Sequence, residues 1–500
     1  MLITNKTSVP AYDTKNQRTI NKYLEIYAEP ESHWGDKPLS QFADRCWDYV
    51  VAIPACGEFE YLPGALESIT QCRAVADNAS VLCIVILNGN QAREIEFKVS
   101  NQNMRAWFSR YCEVKAESLN PPGSCPQTLM TWRNIDILLV ERCKEPWLVP
   151  ADQGVGLVRK IAADIALRLV SAGKVASPWI HNTDADARVP DDYFLRLSET
   201  PRDANANALP PACFVYPYQH IPDPEMDAKD HQRYWPAVTD YELWLRYYMA
   251  GLQWAGSYYA YSSIGSLLAC DSLAYARTRG FPKKMAGEDF YFQNKLAKVG
   301  AMINLKGNPI RLLTRPSSRV PFGTGQGTIK IDSLYEAGHI YEVYHPAVFD
   351  FLKAFLQAVD RWFSTNSVAA DERESTFLAS LGQCLPSAGL KGVDPEAWLA
   401  DLIQQLDVFH HLHAAENRSK STQGAMRQFD DWFDGFRTLK LIHRLRDDLY
   451  GNLPLLEALQ ASCFLQQPGQ SGGRQMSGDD WLERLRYTEV SMDMDHKKII

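Results

Sequence analysis

The apolar positions in the first part of the chain follow two alternating patterns. Short continuous apolar runs, "YVVAIPAC" from Tyr49 and "VLCIVILN" at 81–88, predict strands that are buried on both faces. Between them, the segment "EYLPGALESITQC" places apolar residues at helical spacing from Leu62 to Ile69. Strand, helix and strand within about forty residues form a βαβ unit, which predicts a parallel sheet.

The same alternation continues along the chain. An amphipathic helix is predicted for "GVGLVRKIAADIALRLV", and a second helix, stopped by Gly300, for "GEDFYFQNKLAKVG". Further strands are predicted for "PWIHNT", "CFVYPY" and "AMINL". The predicted fold class is therefore α/β, with a Rossmann-like, mostly parallel sheet flanked by helices.

After about residue 330 the strand pattern stops and helical periodicity remains. "VFDFLKAFLQAVDRWF" repeats its apolar residues about every 3.6 positions, and Asp394 and Pro395 are residue types of a helix N-cap and first helical position. We therefore predict three parts: a lead-in with one short helix at 1–45, an α/β domain at 46–330, and a mostly α-helical C-terminal region at 331–500.

Composition and charge narrow the class of partner. The 500 residues are 46% hydrophobic and 22% charged, as in ordinary soluble proteins, and a formal charge of −8 argues against nucleic acid as the main partner. No apolar run approaches the ~20 residues that span a bilayer, and the N-terminus lacks the pattern of an export signal. The eleven cysteines show no C-x-x-C spacing, which favours reduced thiols. The sequence therefore predicts a cytoplasmic protein without a transmembrane segment.

Four aspartates lie close together directly after the predicted strand "PWIHNT". Asp191 and Asp192 follow Pro190, which is typical of the first turn of a helix. Asp184 and Asp186 come at the carboxyl end of the strand, where open α/β sheets bind ligands. Carboxylates repel one another, whereas a hard divalent cation such as Mg²⁺ or Mn²⁺ binds carboxylate and phosphate oxygens together. The first pair of aspartates therefore predicts a metal-assisted phosphate site.

Four segments occur in an order that resembles the family 2 glycosyltransferases, whose nucleotide-binding fold is called GT-A. They are "VVAIPACGEFEYLPGALESI", "GVGLVRKIAADIAL", "WIHNTDADARVPDDYF" and "AGEDFYFQNKLAKVG", and the resemblance covers roughly residues 46–315. It implies that the domain at 46–330 binds a nucleotide-sugar donor and is catalytic. The membrane helices and Q-x-x-R-W motif of processive members are not found, so the implied reaction is a single transfer to a saccharide or small hydroxylated acceptor.

The resemblance implies roles for residues on the donor side. Asp184-Ala185-Asp186 matches the family's D-x-D motif, with Asp186 as the direct ligand of Mg²⁺ or Mn²⁺ and Asp184 facing the ribose or the water shell of the cation. Gly154 and Gly156 would let the backbone approach a ligand closely. Further donor-binding residues are implied at the tips of the first two strands and in the helix after these glycines: Pro54, Ala55, Glu58, Asn88 and Arg159.

The resemblance also implies a catalytic pair. "AGEDFYF" matches the E-D motif, in which one acid removes the proton of the acceptor hydroxyl; Asp289 is assigned this role, and Glu288 orients the acceptor. The positive end of the helix that follows is expected to keep Asp289 ionised. Arg315 and Arg319 are candidates for phosphate binding, and His339 or His345 for completing the metal shell.

Two other functions use a similar scaffold. A nucleotidyltransferase also uses paired acids, but it usually carries a basic, glycine-rich signature after the first strand, and "PACGEFEYLPG" contains no basic residue. A non-catalytic protein that binds a nucleotide or a sugar is the other alternative. The presence of acids at both the D-x-D and the E-D positions favours an enzyme over such a binding protein.

Overall fold

The computed structural model of the protein describes residues 12–34, 42, 45–199, 209–317, 323–365, 368–386, 394–466 and 476–491. The chain divides into two compact units, each described by itself below. The first contains the described residues of Met1–Gln232 and Tyr261–Gly327, together with Glu489–Ser491. The second contains those of Arg233–Ala260 and Thr328–Thr488.

The strands and helices below are numbered in chain order. The strands of the described residues are β1 (Tyr49–Ala55), β2 (Val81–Asn88), β3 (Glu113–Ala116), β4 (Gln127–Trp132), β5 (Ile135–Arg142), β6 (Trp179–Asn182), β7 (Ala187–Arg188), β8 (Pro211–Val215), β9 (Tyr218–Pro222), β10 (Leu268–Asp271), β11 (Ala301–Asn304), β12 (Ile310–Thr314), β13 (Glu342–Tyr344) and β14 (Asn452–Pro454). The α-helices are α1 (Thr14–Ile26), α2 (Leu62–Thr70), α3 (Arg73–Ala76), α4 (Glu94–Tyr111), α5 (Gly154–Ser171), α6 (Arg196–Glu199), α7 (Ala228–Ala255), α8 (Ser272–Arg277), α9 (Glu288–Leu296), α10 (Thr324–Glu336), α11 (Ala347–Ser364), α12 (Ala370–Gly382), α13 (Pro395–Gln405), α14 (Val408–Arg418), α15 (Thr422–Trp432), α16 (Gly435–Leu445), α17 (Leu455–Ala461) and α18 (Gly478–Ser491).

The first unit is built on a nine-stranded sheet in the order β11-β8-β10-β6-β1-β2-β5-β4-β3. β1 pairs in parallel with β2 and β6, and in the whole sheet β10 and β4 alone run against the direction of the other strands. All residues of β2 are buried, as its continuous apolar run predicts. The predicted fold class, a mostly parallel α/β sheet flanked by helices with a helical C-terminal region, is confirmed.

Helix α5 differs from its prediction. It is not amphipathic but buried along almost its whole length, because it packs against β1 and β2 and also against α1. Its charged residues are therefore paired inside the protein. Lys160 Nζ donates to Asp164 Oδ2 at 3.0 Å and to the Tyr23 hydroxyl of α1 at 2.6 Å, and the Tyr275 hydroxyl donates to Asp164 Oδ1 at 2.7 Å. The short helix predicted in the lead-in is thus part of the packing around α5.

The second unit is helical, with β13 and β14 as a small antiparallel pair. The apolar stripe predicted for α11 is buried in its core. The predicted start of α13 is confirmed: Asp394 is the N-cap, its Oδ1 accepts from the amide of Glu396 at 3.1 Å, and Pro395 is the first helical residue. Among the helices that the structure describes, none is both long enough and apolar enough to cross a membrane.

A chain that ends at residue 330 is expected to aggregate. Leu243, Tyr247 and Leu252 of α7 are buried in the core of the second unit, together with residues of α11 and later helices. Removing those helices would expose three large apolar side chains on α7. We expect a low soluble yield and light scattering typical of aggregates, whereas a chain that ends at Ser491 keeps every described residue. A soluble, monodisperse 1–330 chain with the melting temperature of the full protein would contradict this prediction.

Candidate functional site

The carboxyl ends of the parallel strands meet at one edge of the nine-stranded sheet. The register pairs Ala55 at the end of β1 with Leu87 of β2, and Ala52 of β1 with Asn182 at the end of β6. β10 is antiparallel to β6, so the 3₁₀ turn Gly265–Leu267, which precedes β10, lies at the same edge. Residues from four distant parts of the sequence are therefore neighbours there.

Asp184 and Asp186 lie in the turn between β6 and β7. The amide of Ala187 donates to the carbonyl of Asp184 at 3.1 Å, and the amide of Leu313 on β12 donates to the carbonyl of Asp186 at 3.1 Å. The two carboxylates are partly exposed, 29% for Asp184 and 26% for Asp186. The backbone of the turn thus fixes both acids where the parallel strands end.

Asp191 and Asp192 were expected to begin a helix, and this expectation is wrong. Residues 191–195 form turns, and the short helix α6 begins only at Arg196. Asp192 contacts Arg196, and Asp191 Oδ2 lies 3.3 Å from Nε of Arg73. These two acids are neutralised by nearby arginines instead of by a helix terminus.

Arg159 joins the two acidic motifs. Its Nη2 donates to Asp184 Oδ1 at 2.7 Å, and its Nε donates to Glu288 Oε1 at 2.9 Å. The guanidinium lies against Gly265, where an added Cβ atom would come within 2.5 Å of Nη2. Its third nitrogen, Nη1, is buried and has no hydrogen-bond partner in the described part of the chain. The site therefore contains a buried cationic donor that no described protein group uses.

Glu288 and Asp289 are the first two residues of α9 and follow Gly287, which has φ +70°. Burial raises the pKa of Glu288, and the Arg159 guanidinium opposes the rise. Burial also raises the pKa of Asp289 to about 7, and the charge of Glu288 adds to this rise. The expectation that the helix terminus keeps Asp289 ionised is therefore corrected. The amide of Phe290 does donate to Asp289 Oδ1 at 2.7 Å, but the loss of hydration outweighs this contact.

Arg315 connects two other parts of the site. It directly follows β12, which pairs with β7 next to Asp186. Its Nη2 donates to Glu58 Oε2 at 2.5 Å and lies 3.4 Å from Asp186 Oδ2. Its Nε is buried without a hydrogen-bond partner among the described residues. The segment after the first strand and the D-x-D turn are thus held together by one guanidinium.

Sequence reasoning missed the residues that support Arg315. The ring of Tyr61 lies under its guanidinium, 3.8 Å from Cζ to the ring centroid. The Tyr61 hydroxyl donates to Asp223 Oδ2 at 2.5 Å, and Asp223 follows β9, the parallel neighbour of β12. Gly265 was missed as well. The glycine within the apolar stretch "SSIGSLLAC" was the available sign that another group packs closely against the backbone at this position. No sequence pattern pointed to Tyr61 or Asp223.

The loop after β1, which carries Glu58, is held by helix α4. Asn101 Oδ1 accepts from the amide of Gly57 at 3.1 Å, and Ser100 Oγ accepts from the amide of Phe59 at 3.1 Å. Asn101 Nδ2 also donates to the carbonyl of Asn88 at 2.9 Å. The tips of β1 and β2, with the predicted donor-binding residues Pro54, Ala55, Glu58 and Asn88, are therefore fixed to each other through α4.

The two glycines at the start of α5 have a different role from the expected one. A Cβ atom on Gly154 would come within 2.6 Å of the Met285 backbone, and one on Gly156 within 2.4 Å of the Pro282 carbonyl. The amide of Gly156 donates to the carbonyl of Lys284 at 3.0 Å. These glycines allow a close approach to the segment before α9, and their approach to a ligand stays a prediction.

The remaining predicted residues are placed as follows. Arg319 lies outside the described residues. His339 and His345 belong to the second unit: His339 is exposed after α10, and His345 Nδ1 accepts from the amide of Ala347 at 3.1 Å. Burial lowers the pKa of His345, which favours the neutral imidazole that a metal requires.

The acidic residues at the sheet edge fit a divalent cation. In the described part of the chain, no three acidic, histidine or cysteine side chains form a ready-made ligand set. Mg²⁺, however, usually keeps several waters and binds one or two carboxylates plus substrate phosphates, so two carboxylates are sufficient.

Comparisons with known proteins found similar solved structures. No family model matches the chain, and no curated protein does. Staphylococcal (S. aureus) TarS 1–349 in complex with UDP-GlcNAc is 10% identical with a TM-score of 0.31, over 78% of this chain and 91% of that one. The mannosyltransferase PcManGT from Pyrobaculum calidifontis, in complex with GDP-Man and Mn²⁺, is 13% identical with a TM-score of 0.30, over 85% and 93%. Similarity at this level decides neither activity nor substrate.

Proposed function

We propose that the protein is a non-processive glycosyltransferase that moves a sugar from a nucleotide-sugar donor to a hydroxyl group of a saccharide or another small acceptor. One observation carries the proposal: Asp184 of the D-x-D motif and Glu288 of the E-D motif bind the same buried guanidinium of Arg159. A group transfer needs a donor site and an acceptor site in fixed relative position. The proposal includes a cytoplasmic location and assigns 46–330 to the catalytic domain, 1–45 to a lead-in and 331–500 to a helical region.

On the donor side, we assign the nucleotide to the tips of β1 and β2, with Pro54, Ala55, Glu58 and Asn88 as lining residues. Nη1 of Arg159 and Nε of Arg315 are buried donors without partners in the described part of the chain. Guanidinium groups form strong, charge-assisted hydrogen bonds with phosphate oxygens, so these atoms are assigned to the diphosphate. Arg319 stays a candidate for the same role.

Asp186 and Asp184 would hold Mg²⁺ or Mn²⁺. When bound, the cation would neutralise the charge of the leaving nucleoside diphosphate. The two acids are partly exposed at the sheet edge, and each lies within reach of an arginine, Asp184 of Arg159 and Asp186 of Arg315.

On the acceptor side, Asp289 removes the proton of the attacking hydroxyl group. The hydroxyl oxygen forms a bond to the anomeric carbon of the sugar, and the bond from that carbon to the diphosphate oxygen breaks. Glu288 accepts a hydrogen bond from Arg159 at 2.9 Å and is therefore fixed in position to orient the acceptor. A base with a pKa of about 7 suits proton abstraction at neutral pH.

The proposal is tested with a panel of nucleotide-sugar donors, each assayed for slow donor hydrolysis with and without Mn²⁺. Nucleoside diphosphates are screened in parallel by thermal shift. We expect one donor class to be hydrolysed and its nucleoside diphosphate to stabilise the protein more strongly with Mn²⁺ than without. Binding of a nucleotide without hydrolysis of any donor would point to the non-catalytic alternative. Release of inorganic pyrophosphate from a nucleoside triphosphate would instead point to a nucleotidyltransferase.

The proposed base predicts the pH dependence of the transfer. Asp289 has a pKa raised to about 7, so below that pH its carboxyl is mainly protonated and cannot accept a proton. We expect kcat/KM to fall about tenfold per pH unit below about pH 7 and to level off above it. The profile is measured at constant ionic strength and with saturating Mn²⁺. A profile that stays flat for about two pH units below 7 would exclude a base of this kind.

A further inference from the structure

Arg315 binds the acid that the proposed function assigns to the metal. Its Nη2 is shared between Glu58 Oε2, at 2.5 Å, and Asp186 Oδ2, at 3.4 Å. The Glu58 side chain is 9% exposed, so its charge is largely shielded from water. The ring of Tyr61 supports the guanidinium from one face. A protein cation is therefore positioned beside Asp186.

A divalent cation at Asp186 would meet this guanidinium. Two positive groups at one carboxylate repel each other, and the low local dielectric of a partly buried site strengthens the repulsion. Without the guanidinium, the carboxylates of Glu58 and Asp186 would lose this positive charge, which would favour a divalent cation at Asp186. The positive charge of Arg315 should therefore lower the affinity of Asp186 for a divalent cation.

A bound donor offers Arg315 a second partner. Its Nε is buried and has no partner among the described residues, so the guanidinium has hydrogen-bonding capacity that the protein does not use. A diphosphate can accept two hydrogen bonds from one guanidinium. This is a stronger interaction than the contact of one guanidinium nitrogen with Asp186. Binding of the diphosphate would then draw the arginine away from Asp186 while adding negative charge beside it.

We propose that Arg315 is an internal counter-ion that occupies Asp186 until a nucleoside diphosphate binds, so that the divalent cation and the donor bind together and the metal alone binds weakly. This inference rests on the proposed function, because it takes Asp186 as a metal ligand. It adds a regulatory property to that site: the order and the coupling of metal and donor binding.

The experiment measures Mn²⁺ binding in the absence of nucleotide, from the amplitude of the free Mn²⁺ spectrum in electron paramagnetic resonance. The variant is Arg315→Gln, and the matched control is Arg311→Gln, which removes the same charge from an exposed position at the other end of β12. We expect Arg315→Gln to bind Mn²⁺ roughly tenfold or more tightly than the wild type, and the control to match the wild type. Adding Asp186→Asn to Arg315→Gln should remove the gain.

Three results would overturn the inference: unchanged or weaker Mn²⁺ binding by Arg315→Gln, a gain that survives Asp186→Asn, or tight binding of Mn²⁺ by wild type through Asp186 without nucleotide. If Arg315→Gln does not fold, Arg315→Lys replaces it. A lysine keeps the charge but lacks the planar guanidinium that lies on the Tyr61 ring, so its charge is held less firmly beside Asp186 and an intermediate Mn²⁺ affinity is expected. Mn²⁺ affinity at or below that of wild type in the lysine variant would count against the inference equally.

The outcome is independent of whether sugar transfer occurs. If wild type hydrolyses a donor but Arg315→Gln shows no gain in Mn²⁺ affinity, the inference fails and the proposed function stands. If the gain depends on Asp186 but no donor is hydrolysed, the counter-ion role stands and the proposed reaction fails.

Discussion

Replacing Asp289 by asparagine is expected to lower the rate of sugar transfer by roughly 10²–10⁴. Asparagine keeps the size and shape of the side chain but cannot accept the proton of the acceptor hydroxyl. The amide of Phe290, which donates to Asp289 Oδ1 at 2.7 Å, can still donate to the asparagine oxygen, so the start of α9 should remain intact. Donor affinity should change little, because Arg159 and Asp184 are retained.

The measurement combines kcat and KM for transfer with the affinity for the nucleoside diphosphate. Asp77→Asn is the matched control, since Asp77 is exposed at the end of α3 and the chemical change is identical. The variant should also lose the dependence of kcat/KM on pH near 7. Near-normal transfer by Asp289→Asn would assign the base to Glu288, or would indicate a retaining reaction that needs no such base. Loss of donor binding with intact transfer chemistry would place Asp289 on the donor side.

Asp186→Asn is expected to lower turnover by roughly 10³ or more and to remove the effect of Mn²⁺ on nucleotide binding. The neutral amide is a much weaker ligand for a hard cation than a carboxylate. Arg315 keeps Glu58 as its partner in the variant, so the fold around β12 should be preserved. The variant therefore removes the negative charge of the proposed metal ligand and leaves the surrounding contacts in place.

Asp191→Asn provides the control for this variant, because Asp191 lies five residues further along, is exposed and forms an ion pair with Arg73. Turnover is measured over a range of Mn²⁺ concentrations, and nucleotide affinity with and without Mn²⁺. A variant at position 186 that keeps wild-type turnover and metal response would show that the D-x-D assignment is wrong. Thermal melts of both variants exclude a loss of folding.

The strands that the sequence predicted best are those with both faces buried in the protein. β1 and β2 are buried along most or all of their length, so their apolar residues form a nearly continuous run that only Asn88 at the end of β2 interrupts. The hairpin of β4 and β5 was missed although its turn carries a signal. Arg133 has φ +53° and precedes Asn134, a residue common in such turns. β4 has the sequence Gln-Thr-Leu-Met-Thr-Trp, which neither alternates regularly nor forms a continuous apolar run, so it is weaker evidence for a strand.

The pairing of acids with arginines could not be read from the sequence. Arg159 and Glu288 are far apart in the chain, and so are Glu58 and Arg315; only the tertiary fold brings each pair together. The same applies to the pKa of Asp289. Its place at a helix start was evident, but the burial that outweighs the helix terminus depends on residues that pack around it. Motifs thus located the acids, and tertiary packing raises the pKa of Glu288 and Asp289.

The way α4 holds the loop after β1 makes this loop suitable for laboratory evolution of donor choice. Asn101 and Ser100 bind the loop through the main-chain amides of Gly57 and Phe59, which remain whatever side chains the loop carries. Gly57 itself must stay glycine, because it has φ +65° and an added Cβ atom would come within 2.7 Å of the Phe97 ring. Libraries that vary the side chains on either side of this glycine can therefore change what the loop recognises while its backbone path is kept.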